Sequence, residues 1–360
     1  MGKMTPNPMG LPLKAEGSPI DAKGRKILSG LFALVLLSVL ASPCSVRGWG
    51  WATHAYIEAR LAHNEGPGRC FYEGLYGAVA PDAFSIVTLS DSTSAAYLTL
   101  QTHKHFLKLG TCGRKMGVGS FVFGFLTHNE NWGADFTAHR CGVEMNIGYV
   151  ESKARLLRRT VASWLEGILR DAGIVFPSVL ASQVAPDLSH ELVEAAVDLL
   201  VKRNNWPSVG SELSEAARRR PEEIPEAISC GYGRRVARKM GISLEDAQGM
   251  IVQAEAIFRD IIGRYGEILS LGDGEDIRVL AQEGAMLLGT SLGSLVNEEV
   301  RVPEEDLVGM LLLAMEMVGE DYMAQLDGTV ERMRKRKKLL RYANCGEASA
   351  DRLGRNLRHQ

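Results

Sequence analysis

The stretch from Ser243 to Ile268 reads SLEDAQGMIVQAEAIFRDIIGRYGEI. Its apolar residues recur every three or four positions, as in the series Ile251, Ala254 and Phe258. This spacing places them on one face of an α-helix, whereas a half-buried strand would alternate apolar and polar residues. The stretch therefore predicts a long amphipathic helix.

Three further stretches repeat the pattern, namely Ile147 to Ala172, His190 to Arg203 and Glu304 to Leu340. Prolines lie at or just before several expected helix starts, where the missing N–H costs least. They are Pro186, Pro207, Pro221 and Pro303. The chain shows neither a convincing alternating strand pattern nor an internal repeat. We therefore predict an all-α fold, with one multi-helix domain.

The N-terminal region has the pattern of a secretory signal. Lys23, Arg25 and Lys26 precede an apolar run from Ile27 to Ala41. This run is shorter than the roughly 20 residues of a membrane span, and its charged flank disfavours a buried core helix. We expect export, to a secreted or periplasmic location.

Two cleavage positions fit this signal, after Ala41 or after Gly48. We expect residues 1–48 to form a leader, residues 49–345 the helical domain and residues 346–360 a polar tail.

Composition narrows the function classes. The net charge is −2, so no global basic field points to a nucleic-acid partner. Six cysteines are present without a Cys-x-x-Cys pair, which disfavours a thiolate zinc site or a redox motif. One or two disulfides are expected after export, and their pairing stays open.

The most informative polar cluster lies in the stretch THNENWGADFTAH, residues 127–139. On a helix, with about 100° per residue, His128, Asp135 and His139 fall within a narrow arc. Two histidines and an aspartate are typical zinc ligands. The alternative is a polar stripe with core histidines.

Two other clusters add candidate ligands. His190 and Glu194 are one helical turn apart and share a face, although a surface pair is the plainer interpretation. The stretch WGWATH, residues 49–54, places His54 near Trp49. If the leader is cut before Trp49, the free α-amino group and the carbonyl of that residue can chelate a metal.

The last cluster contains Asp82, which follows a proline and in isolation predicts a turn or helix cap. His103 and His105 come later and are two residues apart, so on a helix they point to different faces. We expect only one of them to be a ligand.

Together these groups resemble the bacterial zinc-dependent phospholipase C family, which is related to fungal single-strand nucleases. The resemblance covers Trp49 to about Leu340 and is strongest at the ligand positions. Both groups are all-helical and hold three clustered zinc ions. The resemblance thus implies an all-α domain of this type that binds up to three zinc ions.

The resemblance also implies a role for each candidate. Asp135 would bridge the first two zinc ions, and His103 is assigned as a ligand of the second, although the choice between His103 and His105 stays open. The implied ligands are Trp49, His54 and Asp135 for the first zinc, Asp82, His103, His128 and Asp135 for the second, and His139, His190 and Glu194 for the third.

One spacing departs from the family pattern, which has an aspartate four residues after the first histidine. Here His128 and Asp135 are seven apart, or roughly 10 Å along a regular helix axis. Two ligands of one metal cannot be that far apart, because each metal–ligand bond is about 2 Å long. We therefore predict a distorted helix within residues 129–133.

These features predict a zinc-dependent phosphodiester hydrolase, in which Asp82 or Asp135 orients or deprotonates the attacking water. Phospholipase C is the first expectation because the His190-x-x-x-Glu194 pair and the chain as a whole resemble the phospholipase branch. The resemblance implies phospholipid or a membrane surface as substrate and no stable nucleic-acid partner. A single-strand nuclease is the alternative enzyme, since the Trp-Gly-x-x-x-His spacing resembles that branch. A non-catalytic zinc-stabilised binding protein is the third interpretation, and a metal site closed by protein ligands would favour it.

Overall fold

Helices form nearly all of the computed structural model, which describes residues 48–62, 68–86, 92–143 and 145–336. These residues contain no strand, so the all-α prediction is confirmed. The helices are α1 (Trp51–Leu61), α2 (Arg69–Val79), α3 (Ala83–Ile86), α4 (Ser92–Lys104), α5 (Leu109–Met116), α6 (Gly119–His128), α7 (Tyr149–Asp171), α8 (Pro177–Asn204), α9 (Val209–Arg219), α10 (Glu223–Met240), α11 (Leu244–Leu269), α12 (Glu275–Val296), α13 (Glu304–Val318) and α14 (Tyr322–Arg334).

Three short turns complete the described elements. Ala80–Asp82 and Phe106–Lys108 are 3₁₀ turns, and Phe136–Arg140 is one turn of π-helix. The expected leader, apart from Gly48, and the expected polar tail lie outside the described residues.

Two of the expected helices form as predicted. The 243–268 stretch becomes α11, where the Ser243 hydroxyl caps the start by accepting a hydrogen bond from the Asp246 backbone N–H at 3.0 Å. The 147–172 stretch becomes α7. In both, the buried residues follow the apolar spacing, so local sequence and packing agree.

The prediction that Pro186 precedes a helix start was wrong. Pro186 lies inside α8, which begins at Pro177. Ala185 and Leu188, on either side of the proline, are buried in the core, and α8 packs along α7. Apolar burial on both sides of the proline thus outweighs the backbone hydrogen bond that proline removes.

The single helix predicted from Glu304 to Leu340 was also wrong. It is divided into α13 and α14, with a break between Val318 and Tyr322. The Tyr149 hydroxyl lies at this break, where it donates to Asp321 Oδ1 at 2.5 Å. A tertiary contact from α7 therefore stabilises an interruption that the local apolar pattern does not show.

Helices α2 and α6 approach each other backbone to backbone. A Cβ on Gly124 would overlap the carbonyl oxygen of Gly74, and a Cβ on Gly77 would overlap that of Phe121. Glycine is therefore required at this crossing, because any side chain would push the helices apart. The close approach brings the end of α6, which carries His128, against the α2 backbone.

The cysteines follow the expectation in part. Cys112 in α5 and Cys230 in α10 form a disulfide across 118 residues of sequence. Cys141 is a free, half-buried thiol whose Sγ lies 3.2 Å from the carbonyl oxygen of Met145.

Candidate metal centre

Five of the predicted ligands come together in the protein core, and we call them the inner cluster. Each belongs to a different segment of the chain. The members are His54 in α1, Asp82 in the 3₁₀ turn Ala80–Asp82, His103 in α4, His128 at the end of α6, and Asp135 just before the π-turn. All five are buried, with Asp82 the most exposed at 7%.

Asp135 lies at the centre of the inner cluster. Its Oδ1 is 3.2 Å from His54 Nε2, and its Oδ2 is 3.0 Å from His128 Nε2. One carboxylate thus faces histidines on two sides. This is the arrangement that a carboxylate bridging two metal ions requires.

Asp82 closes the other side of the inner cluster. Its Oδ1 lies 3.3 Å from His103 Nε2 and 3.4 Å from His128 Nε2. The Nε2 atoms of His103 and His128 are themselves 3.1 Å apart. Ligand atoms on one tetrahedral zinc, each about 2 Å from the metal, are separated by roughly 3.3 Å, so these spacings fit one metal ion.

Backbone contacts fix the tautomers of two histidines. His128 Nδ1 donates to the Ala78 carbonyl at 2.8 Å, and His103 Nδ1 donates to the Thr99 carbonyl at 2.9 Å. In the neutral rings, Nε2 then carries the lone pair. Two lone pairs that face each other across 3.1 Å repel unless a proton or a metal ion is bound to one of them.

The buried polar atoms around Asp135 support the same conclusion. Both carboxylate oxygens of Asp135 and both ring nitrogens of His54 are buried, and none of these atoms makes a well-directed hydrogen bond, although His54 and His128 nitrogens lie 3.0–3.2 Å from the carboxylate. Burial without a partner is costly for such groups, which native proteins satisfy with other protein groups, water or a metal ion. The residues therefore fit a metal.

The electrostatics of the inner cluster without a metal are consistent with this fit. Burial lowers the pKa of His128, but the carboxylates of Asp135 and Asp82 outweigh burial and raise it well above its usual value. Burial would raise the pKa of Asp135, and His128 and His54 lower it instead. A proton thus occupies the cluster in the absence of a cation, and metal binding must release it.

The predicted helix distortion is confirmed between the two central ligands. Helix α6 ends at His128, and residues 129–133 form a turn before the chain resumes helical geometry at Ala134. The side chain of Asn129 stabilises this turn, because its Oδ1 accepts from the backbone N–H groups of Asn131 at 2.9 Å and Trp132 at 3.0 Å. The break brings Asp135 back to His128.

A second group, the outer cluster, consists of His139, His190 and Glu194. His190 Nε2 is 3.3 Å from His139 Nε2 and 2.8 Å from Glu194 Oε1. His139 belongs to the π-turn, a conformation often found at functional sites. Burial lowers the pKa of His139 to about 4, which keeps the ring neutral and able to bind a metal.

Glu151 in α7 lies behind the outer cluster. Its Oε2 is 3.9 Å from His190 Nδ1. This distance is too long for a hydrogen bond, and the other oxygen of Glu151 pairs with Arg155 at 2.7 Å. No motif in the sequence marks Glu151, because its position beside His190 depends on how α7 packs on α8.

The choice between His103 and His105 is decided by burial. His103 is buried within the inner cluster, whereas the side chain of His105 is exposed. The two residues point in different directions, as their spacing predicts.

The side chain of Trp49 is turned into the core and faces away from the inner cluster. The indole is 1% exposed, stacks on Tyr149 with centroids 5.3 Å apart, and donates to Thr137 Oγ1 at 3.2 Å. A Cβ on the preceding Gly48 would overlap the Asp135 carboxylate. The chain just before Trp49 therefore runs directly beside Asp135 and His54.

Asp198 in α8 anchors the start of α1 and was missed by sequence reasoning. Its carboxylate accepts from the backbone N–H groups of Ala52 and Thr53, at 2.9 and 2.8 Å, and from the Tyr265 hydroxyl at 2.7 Å. An acidic group at a helix N-terminus satisfies otherwise free N–H groups. Its four-residue spacing from Glu194 places it on the same face of α8 but does not reveal the contact with α1.

The two tryptophans near the ligands differ in role. Trp51 donates its indole N–H to Asp82 Oδ2 at 3.1 Å, which leaves Oδ1 facing the histidines. Trp132 is half-buried and packs edge-on against Phe106, with centroids 5.5 Å apart.

Comparison with known proteins adds no assignment: no protein-family model, curated protein or solved structure matches this chain. What can be assigned therefore rests on geometry. Within the residues that the structure describes, three groups of histidine and carboxylate side chains, two of them sharing His128, have the composition and spacing to hold metal ions.

Proposed function

We propose that this chain is a zinc-dependent phosphodiester hydrolase and that its substrates are glycerophospholipids, which it cleaves to diacylglycerol and a phosphorylated head group. The carrying observation is the inner cluster, where lone pairs of His103 and His128 face each other beside Asp135. Buried atoms without partners need cations there, and the outer cluster offers a further site.

Histidine nitrogens and carboxylate oxygens favour zinc over calcium or magnesium, which prefer oxygen ligands alone. The inner cluster would hold two zinc ions that share Asp135, and the outer cluster would hold the third. When bound, the zinc ions supply positive charge that neutralises a phosphodiester and activates water. Clustered metal sites of this kind suit in-line displacement at phosphorus.

The residues of this chain have separate roles around that charge. Asp82 has one oxygen held by Trp51 and the other directed at the cluster, so it is placed to orient the attacking water or accept its proton. Asp135 is enclosed by histidines and would serve as a ligand shared by the two inner zinc ions. Substrate would enter at the outer cluster, where His139 and Glu194 are less completely buried than the residues of the inner cluster.

Phospholipid is preferred over single-stranded nucleic acid as substrate for two reasons. The third ligand of the outer cluster is a glutamate, as in the phospholipase branch that the sequence resembles. In addition, Trp51 and Trp132 are engaged in a hydrogen bond and in packing, rather than displayed as exposed stacking platforms for bases.

The test is zinc content and product formation on the same purified protein. Elemental mass spectrometry should give close to three zinc ions per chain, and phosphatidylcholine should yield diacylglycerol. Single-stranded DNA, assayed in parallel, should remain largely intact. A zinc content near zero after metal-free handling would refute the assignment, and faster cleavage of DNA would assign the nuclease activity instead.

A further inference from the structure

The turn between α7 and α8 exposes three large apolar side chains, which we call the apolar tip. Val175 is 80% exposed, Phe176 is 70% exposed and Val179 is 54% exposed. Single exposed apolar residues are common, but contiguous ones mark surfaces that meet a partner or a membrane. Nothing in the described structure covers these three side chains.

Helix α7 adds positive charge to the same helix pair. Leu156 is 68% exposed and is flanked by exposed Arg158 and Arg159, and by exposed Arg155, which pairs with Glu151 at 2.7 Å. The spacing of these arginines, three and four residues apart, places them on neighbouring positions of one face. Arginine next to exposed leucine matches the boundary between anionic lipid head groups and acyl chains.

Both features are connected to the outer cluster by the same two helices. Val179 and His190 are eleven residues apart in α8, which places them on the same helix face and roughly 16 Å apart along its axis. From α7, Glu151 contacts His190. Because the two helices connect the apolar tip to the outer cluster, any surface that binds the tip lies at a defined distance from that cluster.

We propose that the apolar tip and the α7 arginines form a docking surface for an anionic phospholipid membrane. This inference rests on the proposed phospholipase function for its purpose. The arginines favour a membrane over a second copy of this chain as the partner that binds here. A second copy has a net charge of only −2, whereas a leaflet of anionic lipid presents much more negative charge. Docking would bring the outer cluster to the lipid surface.

The experiment measures vesicle binding separately from catalysis. The purified protein is sedimented with phosphatidylcholine vesicles that contain or lack phosphatidylglycerol. The double variant Val175→Ser, Phe176→Ser should bind vesicles about tenfold more weakly or worse, because its apolar insertion is lost. A matched control, Leu244→Ser, Val252→Ser, removes two exposed apolar side chains from α11 and should bind like the wild type.

The charge contribution has its own variant pair. Arg158→Glu, Arg159→Glu should abolish the preference for vesicles with phosphatidylglycerol, whereas Arg234→Glu, Arg238→Glu in α10 should keep it. Zinc content and hydrolysis of soluble bis(4-nitrophenyl) phosphate should be unchanged in all four variants, which shows that the folded centre is intact.

The outcomes separate the two proposals. Tip-dependent vesicle binding by a protein that hydrolyses no phosphodiester would uphold the docking surface and refute the enzyme. Lipid hydrolysis with wild-type vesicle binding in the tip variant would refute the docking surface alone. If light scattering shows that the tip variant loses a dimer while its vesicle binding is unchanged, the occupant is a second copy and the membrane proposal is overturned.

Discussion

The inner and outer clusters are built from similar side chains in different ways. The inner cluster draws one residue from each of five segments and is at most 7% exposed. The outer cluster takes two of its three residues from successive turns of α8, and His139 and Glu194 are only partly buried.

This difference implies different sensitivities. The inner cluster exists only when α1, α4 and α6 are all in place, so its metal affinity is part of the folding free energy. The outer cluster is largely prearranged by one helix and is open to ligands. The inner cluster should therefore determine the stability of the fold and the metal charge in the core. The outer cluster should determine how substrate reaches the metal centre.

The largest expected effect comes from Asp135→Asn. It keeps the side-chain volume but replaces one oxygen of the bridging ligand with an amide group that cannot bind a metal. Elemental analysis should show loss of at least one inner zinc, and phospholipid hydrolysis should fall by about a thousandfold or more. Wild-type zinc content in this variant would remove Asp135 from the ligand set.

His139→Ala tests the outer cluster alone. We expect loss of one zinc, retention of the inner pair and a fall in activity of about a hundredfold or more. His105→Ala is the matched control, because that exposed histidine belongs to neither cluster. Undiminished activity in a His139→Ala protein that has lost its zinc would refute the proposed mechanism.

Retaining extra residues before Trp49 should affect the inner cluster only. The Trp49 nitrogen is then an amide, which is a poor ligand, and Gly48 occupies space beside Asp135. Protein that begins at Trp49 should bind one more zinc than protein that retains the preceding residues, as elemental mass spectrometry on both forms will show. Equal zinc content would exclude the amino-terminal ligand.

Asp198→Asn should weaken the inner cluster without touching a ligand. The carboxylate of Asp198 accepts hydrogen bonds from N–H and O–H groups, and the new amide N–H₂ would face these donors. We expect this to lower the free energy of unfolding by about 2 kcal/mol. Thermal unfolding should shift downward, and zinc should dissociate faster from the inner than from the outer cluster. Tyr265→Phe, which removes one donor, should give a smaller shift; equal shifts would contradict this role.

The smallest effect concerns Glu58, which is buried in α1 without a hydrogen-bond partner. Burial raises its pKa from 4.5 to about 8. The folded state therefore binds the Glu58 proton more tightly than the unfolded chain does. This contribution to the free energy of unfolding is fully present below pH about 4.5 and is lost as pH rises to about 8.

Glu58→Gln should remove this dependence. Thermal unfolding of zinc-saturated protein at about pH 5 and about pH 8 should show a smaller loss of stability in the variant than in the wild type. Parallel losses in the two proteins would mean that Glu58 is not the titrating group.

The sequence was sufficient wherever local rules decide the structure. The apolar spacing of residues 243–268 predicts α11, because an amphipathic helix needs only a core to pack against. The seven-residue interval between His128 and Asp135 predicts a break, since metal–ligand lengths are incompatible with a straight helix there. The ligand types themselves restrict the metal chemistry.

The remaining features depend on contacts between distant segments. Pro186 stays inside α8 because packing on α7 outweighs its local cost, and the Tyr149 hydroxyl stabilises the break after Val318. Asp198 becomes recognisable only once the N-terminus of α1 lies against it. None of these pairings leaves a periodic trace in the sequence.

Helix α8 places His190, Glu194 and Asp198 on three successive turns. The first two residues belong to the outer cluster, and the third anchors the helix that brings His54 to the inner cluster. A single inserted or deleted residue between them would rotate one end of this series by about 100° relative to the other. Substitutions along α8 can preserve this geometry during evolution. A change in the length of α8 at this point, however, would change the position of the outer cluster relative to the inner cluster.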